Sequence, residues 1–185
     1  KLEGSKIVGL GGPNGAGKST FLKILAGLLR DHEGEVWIKG EEVGPSTKAK
    51  LAFLPDRHFI DRHWTGLQAA VFYDDLYEDF SMNKAEELFR KMDLPFDVPF
   101  AYLSKGMREK FQLGLMLARE ADVYLFDEPL GGVDPASLDF ILESILESYR
   151  EDALFVIATH LIRDVENILD EVVFLRDGEI YMHEN

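Results

Sequence analysis

Short apolar runs alternate along this chain with longer segments in which apolar residues return every three or four positions. Ile7 to Leu10 is apolar and ends in glycines, as a buried strand does. Phe21, Leu22, Ile24, Leu25, Leu28 and Leu29 fall at helical spacing and predict a helix over 19–29. Asp31 to Gly34 reads as a turn, and Val36 to Ile38 and Leu51 to Leu54 as strands. Val123 to Phe126 and Leu154 to Ala158 are further buried strands. Between those two, Asp134-Pro135 has the form of an N-cap with proline at the first helical position. Leu138, Ile141, Leu142, Ile145, Leu146 and Tyr149 then share one helical face. Ile162, Val165, Ile168 and Leu169 predict another helix. Val172 to Leu175 and Glu179 to Met182 flank Asp177-Gly178, a hairpin turn signal.

From about Trp64 to Ala121 the texture changes. Aromatics, acids and helix formers dominate, and Pro95 and Pro99 break the run. This predicts a mostly helical lobe, about 64–120, inserted into a core lobe made of 1–63 and 121–185. The strand–helix alternation of the core lobe predicts an α/β fold with a mostly parallel sheet flanked by helices.

Composition narrows the functions. At 185 residues and 46% hydrophobic, the chain can bury a substantial core. A net charge of −14 argues against a nucleic-acid binder and against adhesion to anionic lipid through a basic patch. With no cysteine, thiolate metal sites and Cys nucleophiles are excluded. No apolar run approaches the roughly 18 residues that cross a bilayer, and Lys1 to Ser5 has no apolar signal region. A membrane role is therefore expected to rely on a partner.

Gly12-Pro13-Asn14-Gly15-Ala16-Gly17-Lys18-Ser19 fits the phosphate-loop pattern, with a predicted strand before it and a helix after it. Glycines let the backbone curl until its N–H groups converge on phosphate oxygens. The positive end of the following helix points at the same place. Lys18 is expected to reach the β- and γ-phosphates, Ser19 to ligate Mg²⁺, and Thr20 to donate to a phosphate. The fold this implies is that of a P-loop NTPase.

The strand Val123 to Phe126 runs into Asp127-Glu128. Alone, two acids commonly solvate a strand end. In a parallel sheet, however, ligands gather at the carboxyl ends of strands, where a phosphate loop also sits. Asp127 is expected to hold the Mg²⁺ shell and Glu128 to polarise the attacking water.

Leu103-Ser104-Lys105-Gly106-Met107, shortly before the acidic strand, resembles the Leu-Ser-Gly-Gly-Gln signature of the ATP-binding cassette (ABC) family. The resemblance runs from about Ile7 to the C-terminus. It implies an ATPase subunit that binds ATP and Mg²⁺. It also implies that Ser104, Lys105, Gly106 and Met107 form the segment that meets the γ-phosphate of ATP bound to a second cassette. Two cassettes, a homodimer or a mixed pair, would then sandwich two ATP molecules. Asp134 looks like the acidic position of the family's D-loop. His160, after the strand Leu154 to Ala158, looks like its switch histidine. His32, His58, His63 and His183 lack metal-ligand spacing and receive no role.

Three positions depart from the pattern. Lys105 and Met107 replace Gly and Gln, a form similar to that of exporter-type subunits. Asp56 stands where the Q-loop glutamine is expected, and is a shorter candidate for the Mg²⁺ shell. The chain begins too near the phosphate loop to include the family's adenine-stacking aromatic. The expected function is to power transport through a separate membrane permease, with the cassette peripheral at the cytoplasmic face of the membrane. Competing readings are a soluble ABC ATPase of DNA repair or translation, or a nucleotide-dependent switch without transport. The uninterrupted compact lobe, with no heptad run, argues against the repair type.

Overall fold

The structure is a computed structural model that describes residues 2, 5–129, 135–149 and 152–184. It divides into two compact units: 1–56 with 121–129 and 150–185, and 57–120 with 130–149. The second unit thus takes in the helical residues 135–148 beside 57–120.

The first unit is built on a sheet. Its strands are β1 (Lys6–Gly11), β2 (Trp37–Ile38), β3 (Glu41–Glu42), β4 (Leu51–Leu54), β5 (Val123–Asp127), β6 (Leu154–Ala158), β7 (Glu171–Arg176) and β8 (Glu179–Glu184). Among the described residues six strands form one sheet in the order β4-β5-β6-β1-β7-β8, parallel except for β8. The two remaining strands pair with each other as a short ribbon. Asp177 and Gly178 both take positive φ, 52° and 82°, as the tight β7–β8 turn demands.

Helix α1 (Lys18–Leu25) lies on this sheet. Its buried Leu22 joins Val8, Leu10, Leu125, Val156 and Val173 in one apolar cluster. The helix is shorter than the predicted 19–29. Gly27 turns left-handed at φ 65°, and the Leu28 and Leu29 amides fold back onto the Lys23 carbonyl. A second short helix, α2 (Pro45–Ala49), was not legible in the pattern; proline starts it and Thr47 closes its first turn onto Gly44.

The predicted helix over 162–169 is instead two 3₁₀ turns, Ile162–Asp164 and Glu166–Ile168. Val165 between them is fully buried with φ −120° and ψ −3°. That backbone conformation breaks the helical ladder there. Asp170 then accepts from the Ile7 amide at 2.8 Å and joins this segment to β1.

The second unit is helical: α3 (Gly66–Leu76), α4 (Met82–Lys91), α5 (Lys105–Leu117) and α6 (Pro135–Ser148), with a 3₁₀ turn at Phe100–Tyr102. Thr65 and Gln68 cap α3 reciprocally. The core centres on buried Phe111, whose ring lies 4.7 Å from that of Phe89 and 5.2 Å from that of Phe100.

At the end of α5, Arg119 is 1% exposed. It forks onto the Asp79 carboxylate through Nε and Nη2, both at 2.9 Å, and lies over the Tyr77 ring. Arg119→Ala is expected to destabilise the protein by about 3 kcal/mol, since half of a buried ion pair is removed. Chemical denaturation measures this, and Asp79→Asn should cost less because the fork keeps one acceptor.

Candidate active site

The carboxyl ends of β1, β5 and β6 are neighbours in the sheet, and the candidate residues gather there. After β1 the chain enters the phosphate loop through Gly12 at φ 144°, where a side chain would meet the Leu175 carbonyl at 2.4 Å. Gly15 and Gly17 also take positive φ, and the Ala16 amide closes a turn on the Pro13 carbonyl at 3.1 Å. Helix α1 starts at Lys18 with Gly17 as its cap, so no side chain caps its first amides. Such amides are suited to anionic oxygens.

Lys18 is 6% exposed. Its ammonium donates to the Gly12 carbonyl at 2.7 Å and to that of Pro13 at 3.3 Å, and stands 3.9 Å from the Glu128 carboxylate. The charge is thus held within the loop by carbonyls, which a phosphate can replace with a stronger partner.

Strand β5 alternates its faces. Val123, Leu125 and Asp127 share the side that packs α1. Asp127 is 2% exposed and accepts from the Ser19 hydroxyl at 3.0 Å. Burial holds the Asp127 carboxyl above the usual range. The Ser19 hydroxyl opposes this, while the neighbouring charges of Asp56 and Glu128 add to it. A divalent cation would relieve that cost. Ser19 and Asp127 offer hard oxygen donors side by side, which fits Mg²⁺, an ion usually held by one or two protein oxygens together with substrate phosphates. Among the described residues no three His, Cys, Asp or Glu side chains form a cage that would hold a metal unaided.

One residue further, Glu128 leaves the strand with φ 51° and donates its amide to the Ala158 carbonyl of β6 at 2.8 Å. This turn aims its side chain at the segment after β6. There Glu128 accepts from the His160 amide at 3.1 Å and meets His160 Nδ1 at 2.9 Å. Thr159, buried beside it, fixes the local turn by accepting from the Leu161 amide at 3.0 Å and donating its own amide to Leu10 of β1 at 3.2 Å.

Asn14, Gly15, Gly17, Lys18, Ser19, Thr20, Asp56 and Glu128 line a cleft of about 230 Å³. Asp56 is therefore brought to the site rim. Ser104 to Met107 lie in the other unit, where Ser104 caps α5 by accepting from the Met107 amide at 3.2 Å. Lys105 leans toward Glu109 at 3.5 Å. Asp134 lies outside the described residues. Of the four histidines given no role, His183 does have a structural one: its Nε2 meets the buried Glu171 carboxylate at 2.9 Å. The Lys6 ammonium bonds the same carboxylate, and these two partners hold Glu171 below the usual carboxylate range.

The profile of the ABC transporter family matches residues 1–131. The chain belongs to the ABC transporter family. This ABC cassette is 29% identical over 186 residues to the ABC transporter ATP-binding protein YdbJ of Bacillus subtilis, with 97% of this chain and 60% of YdbJ covered. It thus spans about three fifths of YdbJ's length. A solved ATP-binding subunit of an ABC transporter matches all of the cassette with a TM-score of 0.88 at 27% identity, over 81% of its own chain. A dimeric bacterial ABC transporter cassette shares the fold at 22% identity, with a TM-score of 0.86 over 100% of this chain and 87% of its own. Among the described residues no helix is long and apolar enough to cross a membrane.

Proposed function

We propose that the chain hydrolyses Mg·ATP in the cleft between the phosphate loop and the β5 and β6 ends, and that this drives transport through a membrane permease. The observation that carries the reading is the convergence of Lys18, Ser19, Asp127, Glu128 and His160 at adjacent strand ends. Lys18 exchanges its loop carbonyls for β- and γ-phosphate oxygens. The phosphate loop from Gly12 to Ser19 and the first amides of α1 cradle the polyphosphate, with Thr20 beside them. Ser19 and Asp127 hold the Mg²⁺, with Asp56 at the rim as a further oxygen. Bound Mg²⁺ offsets the charge on the phosphate oxygens. Glu128 takes the proton of the attacking water, and His160 fixes the orientation of that carboxylate. Omitting Mg²⁺ from a steady-state ATPase assay should abolish turnover; equal turnover with excess EDTA would defeat the reading.

The remaining half of the site is supplied by a second cassette. The α5 start, with Ser104, Lys105, Gly106 and Met107, caps the ATP of that partner, and Asp134 belongs to the same interface. The likeness to a dimeric cassette supports this arrangement. A permease would then hold the pair at the cytoplasmic face of the membrane.

His160→Ala separates positioning from binding. The His160 amide bond to Glu128 survives the substitution, while the ring contact is lost. ATP affinity is expected to stay within about twofold, while turnover falls about a hundredfold. Isothermal titration and a coupled phosphate-release assay read the two effects. Unchanged turnover would make His160 a bystander.

A further inference from the structure

The β7–β8 hairpin stands outside every motif that marks the site, yet its tip touches the phosphate loop. Gly178 donates its amide to the Ala16 carbonyl at 3.0 Å. Its Cα lies 3.6 Å from where a side chain on Gly17 would begin. At the loop's entrance, the Leu175 carbonyl of β7 fills the space that a side chain on Gly12 would need, at 2.4 Å. The loop therefore rests on the hairpin at Gly12, Ala16 and Gly17, three of its own positions. The Ala16 carbonyl points away from the bound anion when the neighbouring amides point toward it. Anchoring that carbonyl fixes the direction of the amides.

We infer that the Asp177-Gly178 turn is a positioning element for the phosphate loop, setting nucleotide affinity without touching nucleotide. The inference rests on the reading of Gly12 to Ser19 as the phosphate site. The turn is suited to this work. Both residues sit in the left-handed region, at φ 52° and 82°, and Gly178 does so without a side chain to strain. The far end of the hairpin is held separately, by His183 on Glu171. The two ends can therefore be loosened one at a time.

Isothermal titration with MgADP and MgATP on the full chain tests the inference, alongside thermal melting. Gly178→Ala forces a side chain into the left-handed region and displaces the amide. Kd for both nucleotides should rise about fivefold or more, the worth of one hydrogen bond. Asp177→Asn keeps the turn and should bind as the wild type does. His183→Ala loosens the other end and should lower the Tm while leaving Kd unchanged. Two glycines inserted after Gly178 move the tip without a strained side chain, and should weaken binding as Gly178→Ala does even if that variant folds poorly. Wild-type affinity in the insertion variant would overturn the inference. So would an equal loss of affinity in His183→Ala, which would mean that hairpin stability alone matters. A wild-type chain that binds neither nucleotide would instead defeat the phosphate-loop reading itself.

Discussion

A Glu128→Gln chain is expected to bind ATP with near-normal affinity and to hydrolyse it at least about a hundredfold more slowly than wild type. The substitution preserves the size of a side chain that is wedged between Lys18 and His160, at 3.9 Å and 2.9 Å. An amide oxygen can still accept from the His160 amide. What is lost is the carboxylate proposed to take the proton of water. Ser19 and Asp127 lie on α1 and β5 and are undisturbed. In the proposed arrangement each ATP is bound by the phosphate loop of one chain and the Ser104 to Met107 segment of another, so ATP that is not hydrolysed stabilises only the pair. Size-exclusion chromatography with light scattering should show a monomer without nucleotide, a dimer with ATP, and a monomer with ADP. Normal turnover would remove Glu128 as the base. An inactive chain that stays monomeric at high ATP would defeat the assignment of Ser104 to Met107 to a partner's nucleotide, with Lys105 and Met107 the first residues to restore to the family pattern.

The second large effect belongs to Lys18→Ala, which should weaken ATP binding about a hundredfold, the range expected when a charge-assisted bond to phosphate is removed. Lys18 does two things in this structure. Its charge faces the site, and its ammonium ties the Gly12 and Pro13 carbonyls together in the loop. Removing it loosens the loop as well as subtracting the charge. Lys18→Arg keeps the charge in a larger, forked head that does not fit a group 6% exposed, and should rescue little. Titration of ATP into each variant measures both. Affinity within a factor of three of wild type in Lys18→Ala would mean that the loop amides alone hold the phosphates.

Much of the site could be read along the chain because its parts are local. The phosphate loop is a contiguous turn whose glycines are dictated by backbone geometry, and α1 follows it directly. Asp127 could be placed by strand alternation, since Leu125 two residues earlier faces the same side. The hairpin turn at Asp177-Gly178 is equally local. The elements that went astray were those in which packing overrode spacing. Ile162 to Leu169 has helical periodicity, but Val165, buried with φ −120° and ψ −3°, separates the segment into two turns. The end of α1 is set by Gly27, which the apolar run through Leu29 concealed.

By itself the sequence determined the family, the mostly parallel sheet, and where the glycine loop at Gly12 to Ser19 and the acidic strand end at Asp127-Glu128 fall in it. Contiguous motifs encode these because their geometry is set by neighbours a few bonds away. Only the tertiary structure decided that β6 lies between β1 and β5, which carries His160 to Glu128 across 32 positions of chain. Strand order follows from which apolar faces bury best together, and no local spacing records it. The same holds for the Thr159 amide on the Leu10 carbonyl, for the His183–Glu171–Lys6 cluster, and for the Gly178 amide on the Ala16 carbonyl. Each joins residues that meet only because the sheet places their strands side by side.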